Sequence, residues 1–115
     1  MYYSTCEGNL IPAEKHERYI DGMKIITWQR DIVDCNILEV EAGTNGYHGG
    51  DTGHGSRTYI RIENVGSTDM QVEVDRKPVK GNSVGITLGG DAELKTIKNA
   101  LRWIVSVLET QSELA

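Results

Sequence analysis

The chain has no phenylalanine, two prolines and two cysteines among its 115 residues. With aromatic residues at 6%, a core must rest on Ile, Val and Leu. The prolines, Pro12 and Pro78, stand far apart, which excludes a proline-rich linker, and the chain reads as a single domain over residues 1–115. Cys6 and Cys35 form no CxxC pair; in a reducing compartment they are ordinary thiols and receive no role. Basic residues are outnumbered, 12 Lys and Arg against 17 Asp and Glu, and a net charge of −5 works against extended nucleic-acid binding. No segment approaches the ~18 consecutive apolar residues of a membrane span. The opening MYYSTCEGNL also lacks the basic and apolar regions of a signal peptide, so a cytoplasmic protein with no membrane partner is expected.

Glycine, by contrast, is concentrated. Six of the 13 glycines fall between Gly43 and Gly55, in the stretch GTNGYHGGDTGHGSRT. Ordering glycine costs more backbone entropy than ordering any other residue, so such a loop is costly unless its backbone must bend unusually or be approached closely.

Around that loop the alternation of side chains reads as β-structure. Asp21-Gly22 lies between HERYI and MKIITW and predicts a hairpin over His16 to Trp28, and NILEVE, residues 36–41, is the next strand. From Arg57 to Glu63 the pattern places Thr58, Ile60 and Ile62 on one face and Arg57, Tyr59, Arg61 and Glu63 on the other. NVGSTD marks a turn, MQVEVD follows with Val72 and Val74 inward, turn signals return over Lys77 to Asn82, and Val84, Ile86 and Leu88 share a face of Ser83 to Leu88. Asp91 is the expected N-cap of an amphipathic helix to about Glu109, with Leu94, Ile97, Leu101, Ile104, Val105 and Leu108 at three- and four-residue spacing. The fold class is α+β: an antiparallel sheet of about five or six strands with one C-terminal helix packed on its apolar face. Ala100, Trp103 and Val107 lie off the main stripe, widening it toward core or a second subunit; either way Trp103 is expected to be largely buried.

Three chemistries compete for the glycine loop. Successive backbone N–H groups can converge on an anion, and an aromatic ring between two guanidinium groups suits a nucleotide. The candidate ligand-binding residues are therefore Gly46, His48, Gly49, Gly50, Asp51, His54, Ser56, Arg57, Tyr59 and Arg61. No Walker A or GxGxxG order accompanies them, and an edge strand with a solvated face has the same pattern. Second, His48, Asp51 and His54 recur every three residues with nitrogen and oxygen ligands suited to zinc, although no HExxH, CxxC or EF-hand pattern supports them. Third, Asp51 with His54 is an acid–base pair and Ser56 or Thr58 a nucleophile. The single His54-Gly55-Ser56 matches half of the paired arrangement in two-histidine phosphoesterases. A binder ranks above an enzyme on this reading, with no catalytic residue and no cofactor assigned.

The segments EAGTNGYHGGDTGHGSRTYIRI and LGGDAELKTIKNALRWI resemble uncharacterised small proteins encoded in Firmicutes-type bacteria and their phages, over roughly residues 36–107. The resemblance implies no activity and transfers no site residue. It implies a context: small acidic proteins of mobile elements are often counter-defence factors. The leading expectation is then a non-catalytic protein that sequesters a phosphate-bearing nucleotide signal through the loop and the Arg/Tyr face. A second is an acidic inhibitor that docks on a basic groove of a host defence nuclease, and a third is a metal-dependent hydrolase. A homo-oligomer is compatible with each.

Overall fold

A computed structural model of the chain describes residues 13–33, 37–47, 55–66 and 70–113. Five strands, β1 (Glu14–Ile20), β2 (Met23–Val33), β3 (Ile37–Thr44), β4 (Arg57–Asn64) and β7 (Ser83–Gly89), form an antiparallel sheet in the order β1-β2-β3-β4-β7. Between β4 and β7 the chain makes a separate two-stranded hairpin, β5 (Val72–Val74) with β6 (Lys77–Val79), and one helix, α1 (Asp91–Glu113), follows β7. The fold is α+β, as the alternation and the helical periodicity imply. No helix among the described residues is long and apolar enough to cross a membrane.

The β1–β2 hairpin turns on Asp21 and Gly22, both with positive φ (51° and 81°), the left-handed pair that matches the twist of antiparallel strands. The β5–β6 hairpin turns earlier than the expected signals at Lys77 to Asn82. Asp75 and Arg76 take the left-handed positions (φ 52° and 66°), and Lys77–Val79 is strand. Aspartate tolerates that conformation and arginine rarely does, so the sequence points past the real turn. Val72 is buried as expected, whereas Val74 is exposed.

The start of α1 also differs in detail. The Gly90 carbonyl accepts the Leu94 N–H (3.1 Å), so Gly90 is the cap and Asp91 the first helical residue. The Asp91 carboxylate is occupied elsewhere, accepting a 2.7 Å hydrogen bond from the Ser56 hydroxyl. The helix runs one turn beyond Glu109 and rests on β4 and β7 through its first half; Leu94 is its one buried residue. Trp103, expected to be largely buried, is 67% exposed, because its position faces away from the sheet and nothing described covers it.

This lean leaves the aliphatic face partly open. Ile26, Trp28, Val40, Ile60 and Ile62 share it and are all half-buried, while Ile86 on β7 is 43% exposed. The most enclosed side chains lie instead on the opposite face and at the loop base. Ile25, Thr27, Glu41 and Ser56 are almost wholly shielded, so the buried centre is more polar than the composition suggests.

Gly43 explains one of the loop glycines. In the register it pairs with Thr27 on one side and Tyr59 on the other, and a Cβ at that position would overlap the Ile26 carbonyl oxygen and the Thr27 backbone. Backbone cannot yield as a flexible side chain does. Gly43→Ala is therefore expected to destabilise the fold by about 1–3 kcal/mol, the usual cost of overpacking, read as a drop of several degrees in a thermal melt; an unchanged melting temperature would show that the strands separate there without cost.

Candidate functional site

The polar face of the sheet is built by strand register. Pairing puts Gln29, Glu41, Arg61 and Gly85 in one row across β2, β3, β4 and β7, with Thr27, Gly43, Tyr59 and Thr87 in the next. Glu41 is 1% exposed. Arg18 reaches it from β1 with Nε and Nη2, the latter at 2.7 Å, Thr27 donates its hydroxyl at 2.6 Å, and Arg61 Nε adds a 3.2 Å bond. Arg61 in turn gives Nη1 to Glu63 (2.6 Å) and Nη2 to Glu39 (2.8 Å). The Arg18 guanidinium also stacks 4.5 Å from the Tyr59 ring centroid, and Tyr59 lies across Gly85, where a side chain would crowd its hydroxyl. The face is thus a closed network of opposite charges, in which both guanidinium groups are held more firmly protonated, chiefly by their carboxylate hydrogen bonds.

The expected Arg57, Tyr59 and Arg61 face does exist, yet its members are engaged unequally. Arg61, with a side chain 14% exposed, is surrounded by carboxylates. Arg57 leaves the loop across Gly89, donating Nε to Asp21 (2.9 Å) and Nη1 to the Ser56 carbonyl (3.0 Å), and its Nη2 makes no hydrogen bond among the described residues. Its partner Asp21 stands on the exposed β1–β2 turn, so this ion pair is solvent-screened and exchangeable.

The base of the glycine loop is anchored rather than loose. Asn45 exchanges bonds with Arg57, its N–H to the Arg57 carbonyl (3.2 Å) and its side-chain oxygen from the Arg57 N–H (2.8 Å). The Thr44 and Thr58 hydroxyls lie 2.9 Å apart across the same strands. Gly90 N–H donates to the Ser56 carbonyl (2.8 Å), and Gly46 packs so closely on Asp91, Leu94 and Ser56 that a Cβ would meet all three at about 3 Å. These contacts tie the loop base to the start of α1. His48, Gly49, Gly50, Asp51 and His54 lie outside the described residues; among the described ones no group of His, Cys, Asp and Glu is arranged to hold a metal.

The open space is on the other face. Where α1 leaves the sheet, a groove of about 430 Å³ runs between Leu94, Ile97 and Leu101 on the helix and Ile26, Trp28 and Ile60 on the strands. A continuation of about 420 Å³ shares Trp28, Ala42, Ile60 and Leu101 and extends toward Arg30 and Ile62. At the loop end the groove meets the Thr44 and Thr58 pair and Lys98, whose ammonium sits 4.9 Å from the Tyr47 ring centroid. An apolar slot with an aromatic wall and a cation at its mouth is the usual chemistry of a small-molecule site. Trp28 and Lys98 line this groove without any local sequence signal for it, whereas Ile97 and Leu101 follow from the helical periodicity.

Glu41 offers a direct measure of the polar network. The Arg18 hydrogen bonds hold its carboxyl at about 2, well below the ordinary 4.5, with Thr27 and Arg61 assisting and burial opposing. A depressed folded-state value means the stabilisation is present above about pH 4.5 and is lost as pH falls toward about 2, on the order of 3 kcal/mol in total. Urea unfolding from about pH 6 to about pH 2 should therefore cost the wild type roughly that much more than Glu41→Gln; equal acid losses would mean that Glu41 is not ionised in the fold. Glu41→Ala at neutral pH should cost about 3–5 kcal/mol, since it leaves two guanidinium groups facing an empty centre.

No protein-family model matches the chain, and no curated protein or solved structure is similar to it, so the groove, the loop base and the polar network are read on their own chemistry.

Proposed function

We propose that the chain is a non-catalytic binding protein for a small ligand that joins a flat apolar part to an anionic group. The groove beneath α1 carries this reading. Its walls, Trp28 and Ile60 below and Leu101 above, suit a nucleobase or similar ring, which stacking on an aromatic side chain favours by about 1–3 kcal/mol. Its mouth opens at the glycine loop, where Lys98 offers a positive charge to a phosphate. Arg57 stands at the same end of the sheet on the other face, with Nη2 unspent. The ligand class remains a phosphate-bearing nucleotide, and the resemblance to phage and Firmicutes-type proteins supplies the setting of a counter-defence factor that removes such a signal. What changes is the face: Arg61 is committed to its carboxylates, so the ring-binding wall is Trp28 rather than Tyr59.

A second reading has its own observation. Leu101, Ile104, Val105 and Leu108 expose apolar surface along one side of α1, with Trp103 on the other, and exposed apolar surface of this kind marks protein contacts. Docking on a host defence protein would use that surface together with the chain's acidic charge.

Calorimetry and thermal-shift measurements against cyclic and ADP-ribose-type nucleotides separate the two. A ligand at a hundred times its Kd stabilises the fold by ~2.7 kcal/mol, a shift of several degrees. Ala42→Leu, a change at an exposed position on the groove wall, should abolish that shift while leaving the unliganded melt near its original value, and Lys98→Glu should weaken binding tenfold or more. A shift that survives Ala42→Leu but vanishes in Arg57→Ala would return the ligand to the polar face, and no shift with any nucleotide would leave the protein-docking reading.

A further inference from the structure

The two edges of the sheet are unlike. β1 carries Glu14, Lys15, His16, Glu17 and Arg18, the charged residues by which natural sheets discourage further pairing. β7 reads SVGITLG, with no charge and no proline over seven residues, and among the described residues it pairs only with β4. An uncharged, unpaired edge of this length is a template for another strand.

Which backbone groups it presents follows from the register. Asn64 N–H bonds the Asn82 carbonyl (2.7 Å) and Gly90 N–H bonds the Ser56 carbonyl (2.8 Å), so 64–82 and 56–90 are hydrogen-bonded positions of the β4–β7 ladder. Antiparallel ladders alternate, which turns the backbone groups of Val84, Ile86 and Leu88 toward β4 and those of Ser83, Gly85, Thr87 and Gly89 outward. Those four outward residues are small, so nothing bulky guards the row on the polar face.

We infer that β7 is the pairing edge of a symmetric dimer, in which it adds antiparallel to β7 of a second copy. With the two-fold axis at Ile86, Gly85 pairs with Thr87 of the second copy and Ser83 with Gly89, so every outward group from Ser83 to Gly89 finds a partner. The same register sets the exposed Ile86 against its own twin and the half-buried Val84 against Leu88, aliphatic against aliphatic. The occupant is a second copy because the strand is self-complementary about one residue, the condition of an isologous contact. Pairing at this edge makes one ten-stranded sheet and brings the two α1 helices, which rest on β4 and β7, to the same face beside the axis. This dimer does not depend on the ligand reading, and the groove on the β2 and β3 side of α1 stays open in it.

Sedimentation velocity across a wide concentration range tests it. A species of twice 12.7 kDa is expected for the wild type. Ile86→Lys places like charges on the axis, and Thr87→Pro removes an outward N–H that the monomer does not use; both should sediment as monomers with unchanged far-ultraviolet circular dichroism. Should either variant fail to fold, hydrogen exchange on the wild type decides: the Gly85 and Thr87 amides should be protected in concentrated protein and exchange freely on dilution to monomer. A wild type that is monomeric throughout, variants that remain dimeric, or amides whose exchange ignores concentration would each overturn the pairing.

Discussion

A carboxylate sealed from water at the centre of the five-stranded sheet sets the terms for much of this molecule. Glu41 can be buried only because Arg18, Thr27 and Arg61 come to it from three other strands, and an unpaired charge at that position would be intolerable. The requirement holds β1 to β4 in one register, since a slip of one residue would send Glu41 to the aliphatic face and Val40 or Ala42 to the charged one. Tyr59 beneath Arg18 and Gly85 beneath Tyr59 extend the same constraint to β7. Hydrophobic burial, usually the dominant organiser, is here shared with a polar network.

That division of labour has consequences for where a ligand can sit. A face whose cations and anions satisfy one another has little to offer a phosphate, because a ligand would have to displace carboxylates already in place. The aliphatic face is the reverse: one helix leaning on β4 and β7 leaves an open groove along Trp28, Ala42 and Ile60, which ends at the glycine loop. The loop base joins the two faces. Its Asn45 and Ser56 contacts fix β3, β4 and the start of α1 as one rigid corner, with Lys98 on one side and Arg57 on the other.

The undercovered helix and the unguarded β7 edge belong to the same geometric fact. A single helix cannot cover five strands, so a chain of this size must leave apolar surface open, fill it with ligand, or share it with a second copy. The groove toward β2 and β3 and the edge at β7 lie on opposite flanks of α1, which lets a bound molecule and a second subunit occupy them together.

Alternation and turn chemistry determined the strands of the main sheet and their faces: Arg57 to Glu63 divides as read, the Asp21-Gly22 hairpin forms, and the helix begins after Gly89-Gly90. These are local properties, decided by period and by turn chemistry within a few residues. Glu39 and Glu41 also stand out in NILEVE as acids on one face, but nothing local says that Arg18, 23 residues away, and Arg61, 20 away, converge there. That convergence depends on strand order, which is why Arg61 reads as a ligand-binding cation in sequence and is an ion-pair partner in the fold. Likewise Trp103 belongs to an apolar helix by composition, and only the tilt of α1 against β4 and β7 decides that it faces solvent and that Trp28 lines the open groove. Periodicity states which residues share a face; which face is filled, and by what, is a matter of distances between segments far apart in the chain.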